Sequence, residues 1–224
     1  IEGSLRRLKT DYIDLYQMHW PDTVVPKEES MAAFDELVTA GKVRYLGTSN
    51  DTAYGTIKAN MISEYLGYKR FESIQNNFSL LNRRFLDEMV EMCQREQISL
   101  LPYSPMAGGV LSGKYNRDRQ VQGRFNRYAE APDQRVRLMV KRFVNEKTLQ
   151  STEKYIAIAG EIGVAPATLA IAWSKQFDFV ASTIIGANSG EQLQESLAAM
   201  ELVLDNEVLE ACDKVHQEIL YPMG

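Results

Sequence analysis

The stretch DYIDLYQMHWPD, residues 11–22, has the pattern of a partly buried strand that ends abruptly in polar and turn-forming residues. The two-residue period of a strand places four side chains of segment 12–19 on one face: Ile13, Leu15, Gln17 and His19. The chain contains only one other histidine, His216. The position of this histidine at the end of such a strand, next to Trp20, raises the question of whether a ligand binds at this end.

The rest of the chain alternates between strand and helix patterns. Further strands are predicted at 43–49, 72–77, 99–104 and 180–187, and helices at about 28–41, 52–66 and 84–97. A charged excursion runs from about 107 to 150, two helices follow it, the second beginning at Pro166, and two amphipathic helices end the pattern. Such alternation is typical of parallel strands joined by right-handed crossovers. It leaves an open doubly wound sheet and a closed barrel as the two possible architectures.

The strand ends share one character. In both architectures ligands bind at the carboxyl ends of the strands. All five predicted ends are polar, small or aromatic: His19-Trp20-Pro21, Ser49-Asn50, Gln75-Asn76-Asn77, Tyr103-Ser104-Pro105 and Gly186-Ala187-Asn188. Five such ends in succession predict one binding face. An open dinucleotide-binding sheet would carry G-x-G-x-x-G after its first strand, and the sequence contains no such motif.

Composition limits the partners. The chain has 224 residues and a formal net charge of -5, which argues against nucleic acid or an anionic membrane as the main partner. It has no apolar run long enough to span a membrane. Cys93 and Cys212 lack metal-type spacing, so we predict no metal site and a reducing compartment. That compartment is the cytoplasm, or an organelle stroma if a transit peptide precedes the chain.

Five segments together resemble the aldo-keto reductase superfamily: DYIDLYQMHWPD, GKVRYLGTSN, SIQNNFSLLNR, LPYSPMAGGVLSGKY with a later GRF, and STIIGANSGEQLQESL. They follow one another in family order and resemble most the branch that contains the potassium-channel β subunits and bacterial Tas-like reductases. The resemblance implies a (β/α)8 TIM barrel, of which this chain would provide about the last five βα units. Residues 1–224 would then form a single NADP-dependent oxidoreductase domain that lacks the N-terminal βα units.

The resemblance also implies the catalytic residues. The family uses a tetrad of Asp, Tyr, Lys and His, and only the histidine, His19, can be placed in this chain. Its imidazole would donate a hydrogen bond to the substrate carbonyl, and Trp20 would line the substrate pocket. The alternatives are a histidine satisfied by backbone groups and a tryptophan packed beneath the loop Asp22–Lys27. We expect the other three tetrad residues upstream of Ile1, because the sequence is incomplete, the protein was cleaved, or this relative is naturally short; we favour the first two explanations.

By the same resemblance, one group of residues would bind the cofactor NADP(H). Ser49, Asn50 and Gln75 would bind the nicotinamide carboxamide, and Tyr103 would stack against the ring. Ser104, Pro105, Met106, Ala107 and Gly108 would follow the pyrophosphate. Lys114 and Arg124 would bind the 2′-phosphate, and Gly186, Asn188, Gln192, Glu195 and Ser196 would contact the adenosine end. NADP is preferred over NAD because of the two cations and the family.

Each assignment has a purely structural alternative. Ser49-Asn50 could cap a helix, Gln75 could simply end a strand, and Tyr103 could belong to the core. Lys114 and Arg124 could lie on a solvated loop. The pattern Ser189-x-x-Gln192 also matches a capping box, although a helix N-terminus can serve as a cap and a phosphate site at once.

The predicted function is therefore reduction of a small-molecule aldehyde or ketone by NADPH. One alternative is a catalytically inactive NADP-binding regulatory subunit or truncated pseudoenzyme. Another is an unrelated open-sheet binding protein. No sequence feature predicts an oligomeric state.

Overall fold

The computed structural model describes residues 1–121 and 123–223. These residues form an α/β fold around a four-stranded parallel sheet in the order β1-β2-β3-β4. The strands are β1 (Ile13–Gln17), β2 (Val43–Ser49), β3 (Phe71–Gln75) and β4 (Ser99–Leu100). Each strand pairs with its neighbour in sequence, and a helix separates each pair. This arrangement confirms the predicted parallel βα units and is consistent with part of a (β/α)8 barrel.

A short helix that the sequence did not predict, α1 (Glu2–Leu8), precedes β1. The helices between the strands have nearly their predicted bounds: α2 (Lys27–Thr39), α3 (Ala53–Leu66) and α4 (Phe85–Glu96). A 3-10 helix at Ala107–Ser112 follows β4. The remaining helices are α5 (Lys114–Arg117), α6 (Arg124–Ala129), α7 (Gln134–Phe143), α8 (Glu146–Glu161), α9 (Pro166–Lys175), α10 (Gly190–Ala198) and α11 (Asn206–Glu218). The charged excursion predicted at 107–150 is therefore largely helical.

The described residues separate into two compact units. The first consists of residues 1–76 and 86–101 and contains the whole sheet. Its core lies between the sheet and the helices α2 and α3, where Met31, Leu46 and Phe71 are buried. Tyr16 and Met18 pack against this core. Because side chains alternate along β1, Gln17 lies on the opposite face of the sheet, as predicted.

The second unit consists of residues 77–85 and those from 102 onward. Five aromatic rings form its centre: Phe78, Phe85, Trp173, Phe177 and Phe179. Helix α9 is buried along most of its length. No single described helix is long and apolar enough to cross a membrane; α8 and α9 reach that length and composition only when taken together, and they are bent by 94°.

Two predicted strands differ from the structure. The segment predicted at 99–104 forms a strand only at Ser99–Leu100, and segment 180–187, all of it described, does not form a strand. The Ile184 amide donates to the Pro102 carbonyl at 2.9 Å. A strand needs a repeated ladder with a neighbour, and a favourable pattern of β-branched residues does not provide one. The described sheet has four strands instead of the predicted five.

Candidate cofactor and active site

One candidate site lies in the first unit, at the carboxyl ends of β1, β2 and β3. The Ser49 hydroxyl donates to the backbone carbonyl of Gln75 at 2.7 Å. The Asn50 side-chain amide donates to the His19 carbonyl at 2.9 Å and to Ser49 Oγ at 3.0 Å. Four residues predicted from the sequence therefore lie together in a hydrogen-bonded group, which we call the strand-end cluster: His19, Ser49, Asn50 and Gln75.

Asn50 adopts a left-handed backbone conformation with a φ of 56°, which is uncommon outside glycine. Its backbone amide donates to Asn76 Oδ1 at 2.7 Å and to the backbone carbonyl of Gln75 at 3.1 Å. These two hydrogen bonds stabilise the turn. The helix-cap alternative for Ser49-Asn50 is wrong, because Thr52 caps α3 by accepting from the Gly55 amide at 3.0 Å. The polar residues at the end of β2 thus point to a ligand instead of a helix.

His19 and Trp20 extend from the end of β1 into solvent. Trp20 is 62% exposed, so it does not pack beneath the loop that follows. The two ring centroids are 6.1 Å apart. Among the described residues, none forms a hydrogen bond with the His19 imidazole nitrogens, whereas its backbone carbonyl is bonded to Asn50. The imidazole is therefore available to a ligand.

A second candidate site is a cavity of about 710 Å³ in the second unit. Eleven residues predicted to bind cofactor line it: Ser104, Pro105, Met106, Gly108, Lys114, Arg124, Gly186, Asn188, Gln192, Glu195 and Ser196. We call this space the cationic cavity. Tyr103 and Ala107 do not line it, and the Ala107 side chain is completely buried.

The loop at one wall of the cavity has an unusual backbone. Ser104, Ala107, Gly108 and Gly109 all have positive φ, of 54°, 47°, 65° and 96°. A Cβ on Gly108 would lie 2.5 Å from Phe125 Cζ, and one on Gly109 would lie 3.2 Å from Lys114 Nζ. Only glycine fits at Gly108 without displacing a buried ring. Consecutive left-handed residues form a backbone concavity that suits an anion.

Three cations line the same cavity: Lys114, Arg124 and Arg127. No described aspartate or glutamate forms an ion pair with any of them. Partial burial lowers the pKa of Lys114, and the positive charges of Arg124 and Arg127 lower it further. Gathering like charges without a counter-ion is costly, so this arrangement fits a ligand with more than one negative charge.

Part of the cavity lining comes from the beginning of α10. The Ser189 hydroxyl accepts from the Gln192 amide at 3.3 Å and so caps the helix. The side-chain oxygen of Gln192 accepts from the backbone amide of Asn188 at 3.0 Å. Ser196 Oγ donates to the backbone carbonyl of Gln192 at 2.9 Å. Gln192 thus takes part in the end of the helix and also lines the cavity. The same helix end therefore forms a cap and part of the cavity lining, which leaves both interpretations of the sequence open.

Comparison with known proteins agrees with this geometry. A model described as the aldo/keto reductase family matches residues 1–217. The chain belongs to the aldo/keto reductase family. Members of this family generally use nicotinamide cofactors, and each site by itself offers groups that suit one part of such a ligand. The strand-end cluster offers oriented amides for a carboxamide, and the cationic cavity offers positive charge for phosphates.

Several relatives in the family are similar over most of the chain. Protein tas of Escherichia coli K12 is 34% identical over 243 residues, covering 99% of this chain and 67% of that protein. An aldo-keto reductase of Babesia bovis is 32% identical over 227 residues, covering 88% of this chain and 77% of that protein. The NADH-specific methylglyoxal reductase of E. coli K12 is 31% identical over 210 residues, covering 92% of this chain and 60% of that protein.

The family resemblance assigns Tyr103 to stacking against the nicotinamide ring. It forms an isolated parallel bridge with Asn77 in the second unit and is partly buried. Burial raises the pKa of its phenol, and the charge of Arg142 and a hydrogen bond with Asn77 oppose that change. Its stacking role remains a prediction.

Sequence reasoning missed several residues of both sites. Gln17 and Asn76 bond directly to Gln75 and Asn50. In the cavity, Arg127 and Tyr128 join the lining. Arg127 could have been found, because it follows Arg124 by three residues and such a spacing places two side chains on one face of a helix. A helical prediction for this segment was lacking.

Proposed function

We propose that this aldo/keto reductase reduces an aldehyde or ketone to an alcohol with NADPH. The observation that carries the proposal is the cationic cavity, which gathers eleven of the predicted cofactor residues, Lys114 and Arg124 among them, together with a third cation, Arg127. In a chain with a net charge of -5, such a local excess of positive charge favours an anionic ligand.

In this proposal, different groups of residues bind different parts of the cofactor. Lys114 and Arg124 hold the 2′-phosphate, and the loop from Ser104 to Gly108 follows the pyrophosphate. Five residues contact the adenosine end: Gly186, Asn188, Gln192, Glu195 and Ser196. Ser49, Asn50 and Gln75 bind the carboxamide and so select the ring face that delivers hydride. Tyr103 packs against the ring.

His19 acts on the substrate. When bound, the nicotinamide supplies a hydride to the carbonyl carbon, and a proton taken up by the oxygen completes the alcohol. The exposed imidazole of His19 donates a hydrogen bond to that oxygen, which orients the carbonyl and stabilises the charge that develops on it. The proposal includes the family's Asp, Tyr and Lys from upstream of Ile1, with the tyrosine as proton donor. Trp20 provides an apolar wall for the substrate.

Preference for NADP is the part of the proposal most easily tested, because a relative is named as NADH-specific. Titration of the full-length protein with NADPH and NADH, followed by nicotinamide fluorescence, measures both affinities. We expect NADPH to bind roughly 10- to 100-fold more tightly, the effect of one or two charge-assisted contacts. Equal affinities would contradict the assignment of Lys114 and Arg124.

Turnover separates the enzyme from its alternative. Consumption of NADPH in the presence of simple aldehydes and ketones supports the reductase. Tight NADPH binding without turnover in the full-length protein supports a regulatory subunit instead.

We propose the cytoplasm as the compartment of this protein, since Cys93 and Cys212 are free, buried thiols.

A further inference from the structure

Gln17 connects all three strands that build the strand-end cluster. It lies opposite Gly47 in the sheet, and Gly47 lies opposite Ser73. The Gln17 amide nitrogen donates to Ser73 Oγ at 3.4 Å and to the Thr48 carbonyl at 3.5 Å. Its amide oxygen accepts from the side-chain nitrogen of Gln75 at 2.8 Å. Gln17 therefore contacts a residue that we assign to the cofactor.

These contacts determine which way the Gln75 amide points. The Thr48 carbonyl can only accept a hydrogen bond, so Gln17 turns its nitrogen toward it. The Gln17 oxygen then faces Gln75, and Gln75 has to present its nitrogen. The Gln75 oxygen is left on the other side of the amide. None of the described residues donates a hydrogen bond to that oxygen.

Gly47 makes this arrangement possible. A Cβ at this position would lie 2.5 Å from Ser73 Oγ and 3.0 Å from both Cγ and Nε2 of Gln17. Any side chain would therefore displace the Gln17 amide or the Ser73 hydroxyl. The sheet register and this glycine together keep a space that the Gln17 side chain fills.

We propose that Gln17 is a positioning residue, which locks the Gln75 amide so that its oxygen accepts from the NH₂ group of the nicotinamide carboxamide. The inference rests on the proposed function, which places Gln75 at that group. A Gln75 amide rotated by half a turn would direct its own NH₂ at the carboxamide NH₂, and two donors cannot bond. Gln17 acts through Gln75 and needs no contact with the cofactor.

Two variants of the full-length protein test this role. Gln17→Met keeps the length of the side chain but removes the acceptor that holds Gln75. Gln17→Glu keeps an acceptor, so Gln75 still has to present its nitrogen. Both are titrated with NADPH and with adenosine 2′,5′-bisphosphate, which has the 2′-phosphate but lacks the nicotinamide. We expect Gln17→Met to weaken NADPH binding roughly threefold to tenfold, the range for one hydrogen bond, with no change for the bisphosphate.

The conservative variant and a structural control complete the test. Gln17→Glu should bind NADPH more tightly than Gln17→Met, because it keeps the acceptor for Gln75, although its second oxygen would face the Thr48 carbonyl. Asn60→Leu removes another buried amide of the first unit, which bonds the backbone of Phe71 at 3.0 and 3.2 Å. It should lower the melting temperature without changing the ratio of the two affinities. The melting temperature of each variant also reports whether it is folded.

Three results would overturn the inference. If Gln17→Met weakens both ligands equally, or neither, Gln17 has only a structural role. If Gln17→Glu is as impaired as Gln17→Met, the acceptor is not what matters. Wild-type protein that binds the bisphosphate but not NADPH would disprove the nicotinamide assignment, and the role of Gln17 with it. Failure of the wild type to bind either ligand would instead refute the proposed function.

Discussion

The strand-end cluster and the cationic cavity are built by different means. The cluster lies at the end of a parallel sheet, and its polar side chains are ordered by register, with Ser49 opposite Gln75. The cavity is formed by a loop and helices, and its backbone is bent by left-handed residues such as Ser104 and Gly108. The cluster contains several short hydrogen bonds between its own members. The cavity contains cations that have no described carboxylate partner.

Under the proposed function, this difference matches what each part of a dinucleotide requires. A carboxamide is neutral and small, so it is recognised by the direction of each donor and acceptor, and a sheet fixes directions well. A phosphate carries charge that acts in every direction, so it needs cations, free amides and room. Oriented donors and acceptors suit the carboxamide, and several positive charges in one space suit the phosphates. Four changes test this contrast.

The largest effect is expected at the strand-end cluster. His19→Ala should lower the turnover number by about 100- to 1000-fold, the typical loss for one donor to a developing oxyanion. NADPH affinity should stay nearly constant, because the proposed function places the imidazole at the substrate and not at the cofactor. Steady-state kinetics and fluorescence titration of the full-length protein measure the two effects. A parallel fall in both would show that His19 supports the cofactor instead.

The second effect tests the bent loop of the cavity. Gly108→Ala forces a side chain into a left-handed position and against the buried ring of Phe125, so it should reduce the free energy of unfolding by roughly 2–4 kcal/mol. Gly163→Ala is the matched control in the same unit. Its φ of 69° imposes the same strain, but nothing lies within 4 Å of its added Cβ. It should cost only roughly 1–2 kcal/mol, and chemical denaturation measures both; equal losses would mean that Phe125 moves aside.

The third effect tests charge in the cavity. Arg124→Ala should weaken NADPH binding by roughly 1–3 kcal/mol, the loss of one charge-assisted contact, and leave NADH binding unchanged. Arg95→Ala is the control, since it removes one positive charge from the exposed face of α4, where Arg95 pairs with Glu91 at 3.0 Å. Isothermal titration compares the two variants. If NADPH affinity in Arg124→Ala equals that of the wild type, this residue does not bind the 2′-phosphate.

The smallest effect is a pH dependence. In the free protein the pKa of Lys114 lies below the ordinary lysine value of 10.5, and a bound phosphate should raise it. NADPH affinity should therefore be full below the free-protein pKa and decline a few-fold as the pH rises through it. Lys114→Arg stays charged throughout this range and should abolish the decline. An identical pH profile in the variant would assign the decline to another group.

The sequence predicted the cluster better than the cavity. The period of two along β1 predicted which face Gln17 shares, and the packing of Tyr16 and Met18 on the other face agrees with it. Pattern and motif also led to eleven residues of the cavity. They did not reveal that Arg127 belongs to it, because its place depends on a short helix in a charged segment. They also predicted a strand at 180–187, where the described chain makes no ladder.

By itself the sequence determined the βα alternation, the family, and the residue types at the strand ends, because these depend on local periodicity and on motifs that lie close together in the chain. Only the tertiary structure decided which amide atom Gln75 presents, since that follows from hydrogen bonds among three strands. It likewise decided that Lys114, Arg124 and Arg127 share one cavity. Hydrogen bonds and charge interactions between residues distant in sequence depend on positions in space, and a linear pattern does not contain them.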